Sequence, residues 1–388
     1  MFLVDFRAGK PQERRLAVAV RTIVKRLRRY PPRIREQKAR LHLVKKFLVN
    51  RYLWVARRIW RRIPARLRSL PVLVRYGAHL HSLVLRFDDR RQNHSTFFFR
   101  NRAELELIRR LADQASLGSS IDMAVFACSK GAEVYSIAWA LKAARPDLTI
   151  NLRAVDVSQE VVEFARRGVY SLQDRDNKSD AAELRVNTYR DQPPGYSPFM
   201  FMSESEMSAM FDRDGDVVRV KSWIKEGISW HCADAGNPEL RSILPPHDII
   251  IANRFLCHME PATAERILRN VSRVLKPGGY LFVSGVDLDV RMRVAMDMKW
   301  EPVTELMEEV HDGDPSLRDG WPLDYWAKEP IEPGRRDAMI RYASAFKISA
   351  SGPVKCGSGL EEGPDHEAQE AHGQRMPQAT SSCGYSGA

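Results

Sequence analysis

The chain has 388 residues, 44% of them hydrophobic and 28% charged, which suits one large or two modest globular domains and excludes collagen-like, mucin-like and wholly disordered polymers. Lys and Arg number 61 against 49 Asp and Glu, a net charge of +12. Residues 1–75 hold 23 basic and three acidic side chains (Asp5, Glu13, Glu36), a net of +20, while the remainder carries −8, so a basic segment with its own partners precedes a mildly acidic body. Five widely spaced cysteines, with no C-x-x-C pair and no histidine at zinc-finger spacing, indicate neither a disulfide framework nor a metal site. There is no uninterrupted apolar h-region and no run of about 18 apolar residues, so the expected location is the cytoplasm. The Arg-rich, acid-poor start shares the composition of an organellar transit peptide but is long for one.

In chain order, a basic helix is expected over residues 14–29, stopped at Pro31-Pro32 because proline removes a donor that a continuing helix needs. Leu41, Val44, Leu48, Tyr52, Val55, Ile59 and Ile63 then recur at steps of three and four, which predicts an amphipathic basic helix over 41–63. Such helices suit an anionic membrane surface, which would place the protein at the inner face of a membrane, or a polyanion. The same stripe suits docking onto the next domain with the basic face in solvent. From about residue 93 to 284, apolar strands alternate with helices: strand 123–126, turn 129–131, helix 133–144, strand 150–155, helix 159–167, strand 247–252, helix 262–275, turn 276–279 and strand 280–284. This alternation predicts an α/β fold with a doubly wound, Rossmann-like parallel sheet. Residues 171–226 interrupt it and are expected to form an insertion. Residues 349–388, dominated by Gly, Ser, Glu, Gln and Pro, are read as a disordered tail, so the expected division is 1–90, 91–348 and 349–388.

The turn Ala127-Cys128-Ser129-Lys130-Gly131 joins the first strand to a helix, and small residues there let a ligand approach the backbone and the helix N-terminus. The turn lacks a full G-x-G-x-x-G. The second strand ends at Asp156, about 25 residues after Gly131, where a doubly wound fold uses an acid to hold ribose hydroxyls. Asp234 precedes the strand at 247–252; it either contacts an adenine amino group or caps its loop.

These motifs, with others in the same order, resemble the CheR-type chemotaxis receptor methyltransferases, which are class I enzymes using S-adenosylmethionine. Thr96-Phe97-Phe98-Phe99-Arg100 resembles the family's Thr-x-Phe-Phe-Arg, and Cys128 to Ser136 its Cys-Ser-Thr-Gly-Glu-Glu-Pro-Tyr-Ser. Asp156, Ala165 to Tyr170 and Leu275 to Gly279 follow, so the resemblance covers roughly half the chain. It implies a class I methyltransferase sheet and S-adenosylmethionine as cofactor. Ala127, Ser129 and Gly131 would form the cofactor turn, Thr96, Arg100 and Glu133 would hold the methionine end, Asp156 the ribose, and Asp234 with the Asn253-Arg254 segment the adenine side. Arg100 is also the candidate catalytic residue. The sequence departs from the family pattern at Ala127, where Gly is usual, and at Ala132 and Val134. Ala252-Asn253-Arg254-Phe255 stands for Cys-Arg-Asn-Val with Arg and Asn exchanged, and Ser284 to Leu288 replaces Gly-His-Ser-Glu-Ser.

The implied activity is methyl transfer to a protein glutamate, with an acidic, chemoreceptor-like protein as partner. A glutamate carboxylate, with a reference pKa of about 4.3, is already ionised at neutral pH. No general base is then needed, in keeping with the lack of a Ser/His/Asp or Cys/His constellation, and catalysis reduces to positioning and exclusion of water. Cys128 is read as packing beside the cofactor, and His94 and His258 as satisfied or surface histidines. Two alternatives stand beside this reading. One is a small-molecule or RNA methyltransferase recruited by the basic start, although Ala252 to Phe255 lacks the Pro-Pro of base-amino methyltransferases. The other is a cofactor-binding signalling module without turnover.

Overall fold

A computed structural model describes residues 32–90, 94–172, 197–332 and 334–349. The expected helix over 14–29, residues 173–196 of the insertion, and the tail beyond Ser349 lie outside the described residues. Helices α1 (Pro32–Arg62) and α2 (Pro71–Phe87) come first. The body is built from α3 (Arg102–Ala112), β1 (Ser120–Phe126), α4 (Ala132–Ala144), β2 (Thr149–Asp156), α5 (Gln159–Arg167), β3 (Ile228–Cys232), β4 (His247–Ile251), α6 (Pro261–Ser272), β5 (Leu275–Phe282), α7 (Leu288–Asp297), β6 (Glu301–Pro302) and β7 (Ala345–Lys347). The seven strands form one sheet in the order β3-β2-β1-β4-β5-β7-β6. β1 to β5 run parallel, and β7 is antiparallel to both of its neighbours.

The two faces of β1 explain why the expected α/β doubly wound sheet was readable. Met123 and Val125 pack with Leu107, Ile108 and Leu111 of α3 and with Val134 and Ile137 of α4. Ala124 and Phe126 pack on the opposite face with Ile267, Leu268 and Val271 of α6 and Val290 and Val294 of α7. A strand covered on both faces must be apolar throughout, so it appears in the sequence as a continuous run rather than an alternation. β3 escaped notice because it lies at the sheet edge with half-exposed side chains and has no such run. The turn expected at 276–279 lies inside β5: His247 pairs with Leu275 but Ile249 with Tyr280, so the four residues bulge out of register. Within the interrupted region, Val169–Ser171, Val217–Val220 and Phe211–Asp214 make a separate antiparallel sheet.

α1 starts at Pro32, well before the expected residue 41, because the first helical position does not need the N–H that proline lacks. Of the uses left open for the stripe, packing on the body is not the one it takes. Leu53, Ala56 and Trp60 are buried with Leu80 and Val84 of α2, Leu323 and Tyr325, whereas Val44, Leu48, Tyr52, Val55 and Ile59 are exposed. The helix carries two apolar faces about a quarter turn apart, and the one combining small Ala56 with large Trp60 fits the body. The Trp60 ring meets Trp321 edge-on at 5.6 Å. Beyond α2, Arg90 clasps Asp287 through both guanidinium nitrogens at 2.9 and 3.2 Å and donates to the carbonyl of Cys257 at 2.8 Å. Both charged side chains are close to nine-tenths buried, a setting in which such a pair fixes geometry and leaving one partner alone is costly.

Gly77 of α2 lies so close to Trp321 that an added Cβ would fall inside the indole. In an exposed helix, Gly→Ala gains about 1 kcal/mol. Here overpacking should cost ~1–3 kcal/mol, so Gly77→Ala is expected to lower the midpoint of thermal unfolding. A raised midpoint would show that α2 is not seated on Trp321.

Candidate functional site

From β1 the chain passes to β2 on one side and returns to β4 on the other, and in open α/β sheets ligands bind outside the carboxyl ends of the strands at this switch. A cavity of about 380 Å³ lies there. Nine of the ten candidate residues line it: Thr96, Arg100, Ala127, Ser129, Glu133, Asp156, Asp234, Asn253 and Arg254. Gly131 does not. It caps α4 with φ 87°, and an added Cβ would stand 3.1 Å from each of Ala165, Trp230 and Tyr135, so it shapes the turn from behind the cavity wall.

The turn after β1 is held tightly. Ala127 and Ser129 take φ of 52° and 49°, a region where glycine is unstrained, which accounts for the glycine usual at position 127. The Ser129 N–H donates to Asp156 Oδ2 at 2.9 Å, and the Ser158 N–H to Oδ1 at 3.1 Å. Each carboxylate oxygen keeps acceptor capacity for a ligand hydroxyl. Asp234 Oδ1 accepts from the Gly236 N–H at 2.7 Å, so this residue caps its loop and lines the cavity at once. Strand spacing places the ends of β3 and β4 roughly 14 Å apart, a span that an adenosyl group and its amino-acid tail can bridge.

The other end of the cavity holds a cluster that the sequence revealed only in part. Asn253 gives both amide hydrogens to carboxylates, to Glu104 Oε1 at 2.7 Å and Glu133 Oε1 at 2.9 Å, and its Oδ1 accepts from the Ser284 N–H and hydroxyl at 2.9 and 2.8 Å. Asn253 is therefore bonded to Glu133, which the resemblance assigns to the methionine end, and not to Asp234. Arg254, at φ 61°, donates to Asp314 Oδ2 at 3.2 Å. Burial pulls Asp314 upward, but Arg254, Arg100 and the Ser316 hydroxyl outweigh it and hold the carboxyl below its usual range. Burial, with Glu133 alongside, pushes Glu104 up to about 8. Burial also raises Glu133, against the pull of Asn253 and Arg100.

Glu104 and Asp314 were missed. Glu104 had a signal: it sits one turn before Leu107 and Ile108 on the buried face of α3, a charged residue where the helical pattern demands an apolar one. Its Oε2 is buried and has no hydrogen-bond partner among the described residues. Three carboxylates (Glu104, Glu133, Asp314) beside two guanidiniums (Arg100, Arg254) suit a zwitterion, and the amino-acid end of S-adenosylmethionine is one. The residues present therefore fit this cofactor, whose ammonium the acids would meet and whose carboxylate Arg254 would meet.

Neither Cys128 nor His258 at the cavity is primed for nucleophilic work. Burial and the neighbouring Asp156 push the Cys128 thiol well up. Burial, then Arg254 and Arg90, push His258 down to about 4, and its Nδ1 lies 2.9 Å from the Tyr325 hydroxyl. Among the described residues, no group of three or more His, Cys, Asp or Glu could hold a metal ion.

Without a cofactor, Glu104 is more stable as the neutral acid: its stabilising contribution is complete below its ordinary value of 4.5 and is lost as pH rises through about 8. Glu104→Gln should flatten that fall in thermal stability. It should also weaken S-adenosylmethionine binding by at least about tenfold, ~1.4 kcal/mol, in calorimetry. Unchanged affinity would separate Glu104 from the cofactor.

Residues 94–192 match the family model described as CheR methyltransferase, SAM binding domain, and residues 208–283 match one described as a methyltransferase domain. The chain is 24% identical over 193 residues to the probable biofilm formation methyltransferase WspC of Pseudomonas aeruginosa. That similarity takes in 48% of this chain and 40% of WspC, so the chain spans about two fifths of its relative's length. Solved structures with some likeness include the magnesium protoporphyrin IX methyltransferase ChlM of Synechocystis with bound SAM (11% identity, 52% of this chain and 71% of that one, TM-score 0.28). The N-methyltransferase NodS of Bradyrhizobium japonicum with S-adenosyl-L-homocysteine is another (14% identity, 58% and 87%, TM-score 0.29). The two adjoining matches lie over the strands and turn that build the cavity, so residues 94–192 are similar to a CheR-type S-adenosylmethionine-binding domain and residues 208–283 to a methyltransferase domain.

Proposed function

We propose that this domain esterifies a carboxylate of an acidic protein, a glutamate side chain first of all. The observation that carries the reading is the pair of guanidiniums, Arg100 and Arg254, standing in a wall that is otherwise acidic, beside a Cys128 thiol and a His258 imidazole that are poorly set up to take a proton. An ionised carboxylate is a protein nucleophile that needs no deprotonation. When bound, S-adenosylmethionine supplies a methyl group on a positively charged sulfur. The chain's own residues then have positioning work to do. Arg100, whose guanidinium lies over the Phe97 ring at 4.7 Å and donates to the Ser95 carbonyl at 2.9 Å, is held where its charge can orient an incoming carboxylate. Asp314 steadies Arg254 in the same wall.

Purified protein incubated with labelled methyl donor and an acidic protein fraction should yield label that is released as methanol by mild base. Arg100→Lys should lower that turnover by about tenfold or more, since a lysine cannot reproduce the planar, forked contact. Label stable to base would instead mean methylation of a nitrogen in RNA or a small molecule. Cofactor binding with no labelled product from any fraction would mean a signalling module without turnover.

A further inference from the structure

The apolar stripe of α1 that the body leaves uncovered has a composition of its own. Val44, Leu48, Val55 and Ile59 follow one another along one side of the helix, over roughly 22 Å, and Phe47 and Trp54 flank them. These six side chains are between 47% and 65% exposed. Between the two rows stand Arg51, Arg58 and Arg62, all exposed, and the Arg58 guanidinium lies 5.1 Å from the centre of the Trp54 ring. Residues 37–87 contain no Asp or Glu at all, and residues 44–87 alone carry eleven Lys and Arg. Lys46 and Arg57 are paired with Asp89 and Asp88, away from the stripe's arginines.

Charge decides what can cover this face. Residues 1–31 hold nine Lys and Arg against Asp5 and Glu13, and a second copy would present the same arginines, so either would bring like charges together. The occupant that suits this face is anionic and also accepts apolar side chains standing out along the helix. We infer that α1 lies on an anionic lipid surface, its aliphatic row and Trp54 entering the boundary between headgroups and acyl chains while Arg51, Arg58 and Arg62 reach the lipid phosphates. The Leu53, Ala56 and Trp60 face meanwhile stays on the body, so the catalytic domain is carried to the membrane without unfolding the contact that holds α1. Among the described residues no helix is long and apolar enough to cross a membrane, so this is attachment at the surface.

The full chain should sediment with vesicles of phosphatidylcholine mixed with phosphatidylglycerol and stay in solution with phosphatidylcholine alone. Two variants at exposed positions, Trp54→Ser/Val55→Ser/Ile59→Ser and Arg51→Gln/Arg58→Gln/Arg62→Gln, should each weaken vesicle binding by at least about tenfold. Both should keep wild-type affinity for S-adenosylmethionine, which shows that the fold is intact and reads the cofactor site separately from the surface. Lack of sedimentation with anionic vesicles overturns the inference. So does vesicle binding that the serine variant retains in full, because charge alone then accounts for it. Stronger retention on heparin or an acidic protein than on vesicles, unaffected by the serine substitutions, overturns it in favour of a polyanion.

Discussion

Two buried carboxylates that share a single amide govern the rest of the site. Glu104 and Glu133 each take one hydrogen from Asn253, and the amide cannot be turned round because Ser284 supplies two donors to its oxygen. Removing one ionised carboxylate from water costs several kcal/mol, and two side by side repel each other, so the pair requires positive charge close by. Arg100 and Arg254 provide part of it from the cavity wall, and buried Lys328 acts on Glu104 from behind. The remaining oxygen of Glu104 still lacks a donor among the described residues. A ligand ammonium would complete this arrangement, and its charge would favour the ionised form of Glu104.

The fold delivers this arrangement from four separate elements. Glu104 comes from α3, Glu133 from the first turn of α4, Asn253 from the end of β4 and Ser284 from just beyond β5. The parallel register of β4 and β5 brings the last two together, with the Arg254 N–H donating to the Ser284 carbonyl at 2.9 Å. Gly285, at φ 58°, passes so close that an added Cβ would stand 2.7 Å from the Arg254 Cα. The Asn253-Arg254 and Ser284-Gly285 segments, both of which depart from the family pattern, are therefore bonded and packed against each other. That coupling weakens the view of these loops as signs of decay, because the new residues are bonded to one another and to Glu133.

Legibility in the sequence followed burial. The central strands were plain because both of their faces are covered, and Asp156 stood out because a carboxylate at the end of β2 has a standard use. Ala127 and Gly131 were both noticed in the turn, yet only the left-handed backbone and the crowding by Trp230 show that Gly131 is needed behind the wall. Glu104 could have been found from its phase on α3. Asp314 could not, since it reaches the cavity from a one-turn helix with no sequence periodicity. On α1 the period was right and the sequence left open what its stripe would meet, since only packing volumes such as those of Ala56, Trp60 and Trp321 decide which stripe the body takes.

Recognition of an ammonium by the paired glutamates can be measured as a difference in affinity between S-adenosylhomocysteine and methylthioadenosine, which lacks the amino-acid end. Wild-type protein should prefer the intact compound by at least about tenfold, and Glu104→Gln/Glu133→Gln should lose most of that preference while binding methylthioadenosine as before. A double variant that still prefers S-adenosylhomocysteine to the wild-type extent would contradict the assignment of these two carboxylates to the cofactor.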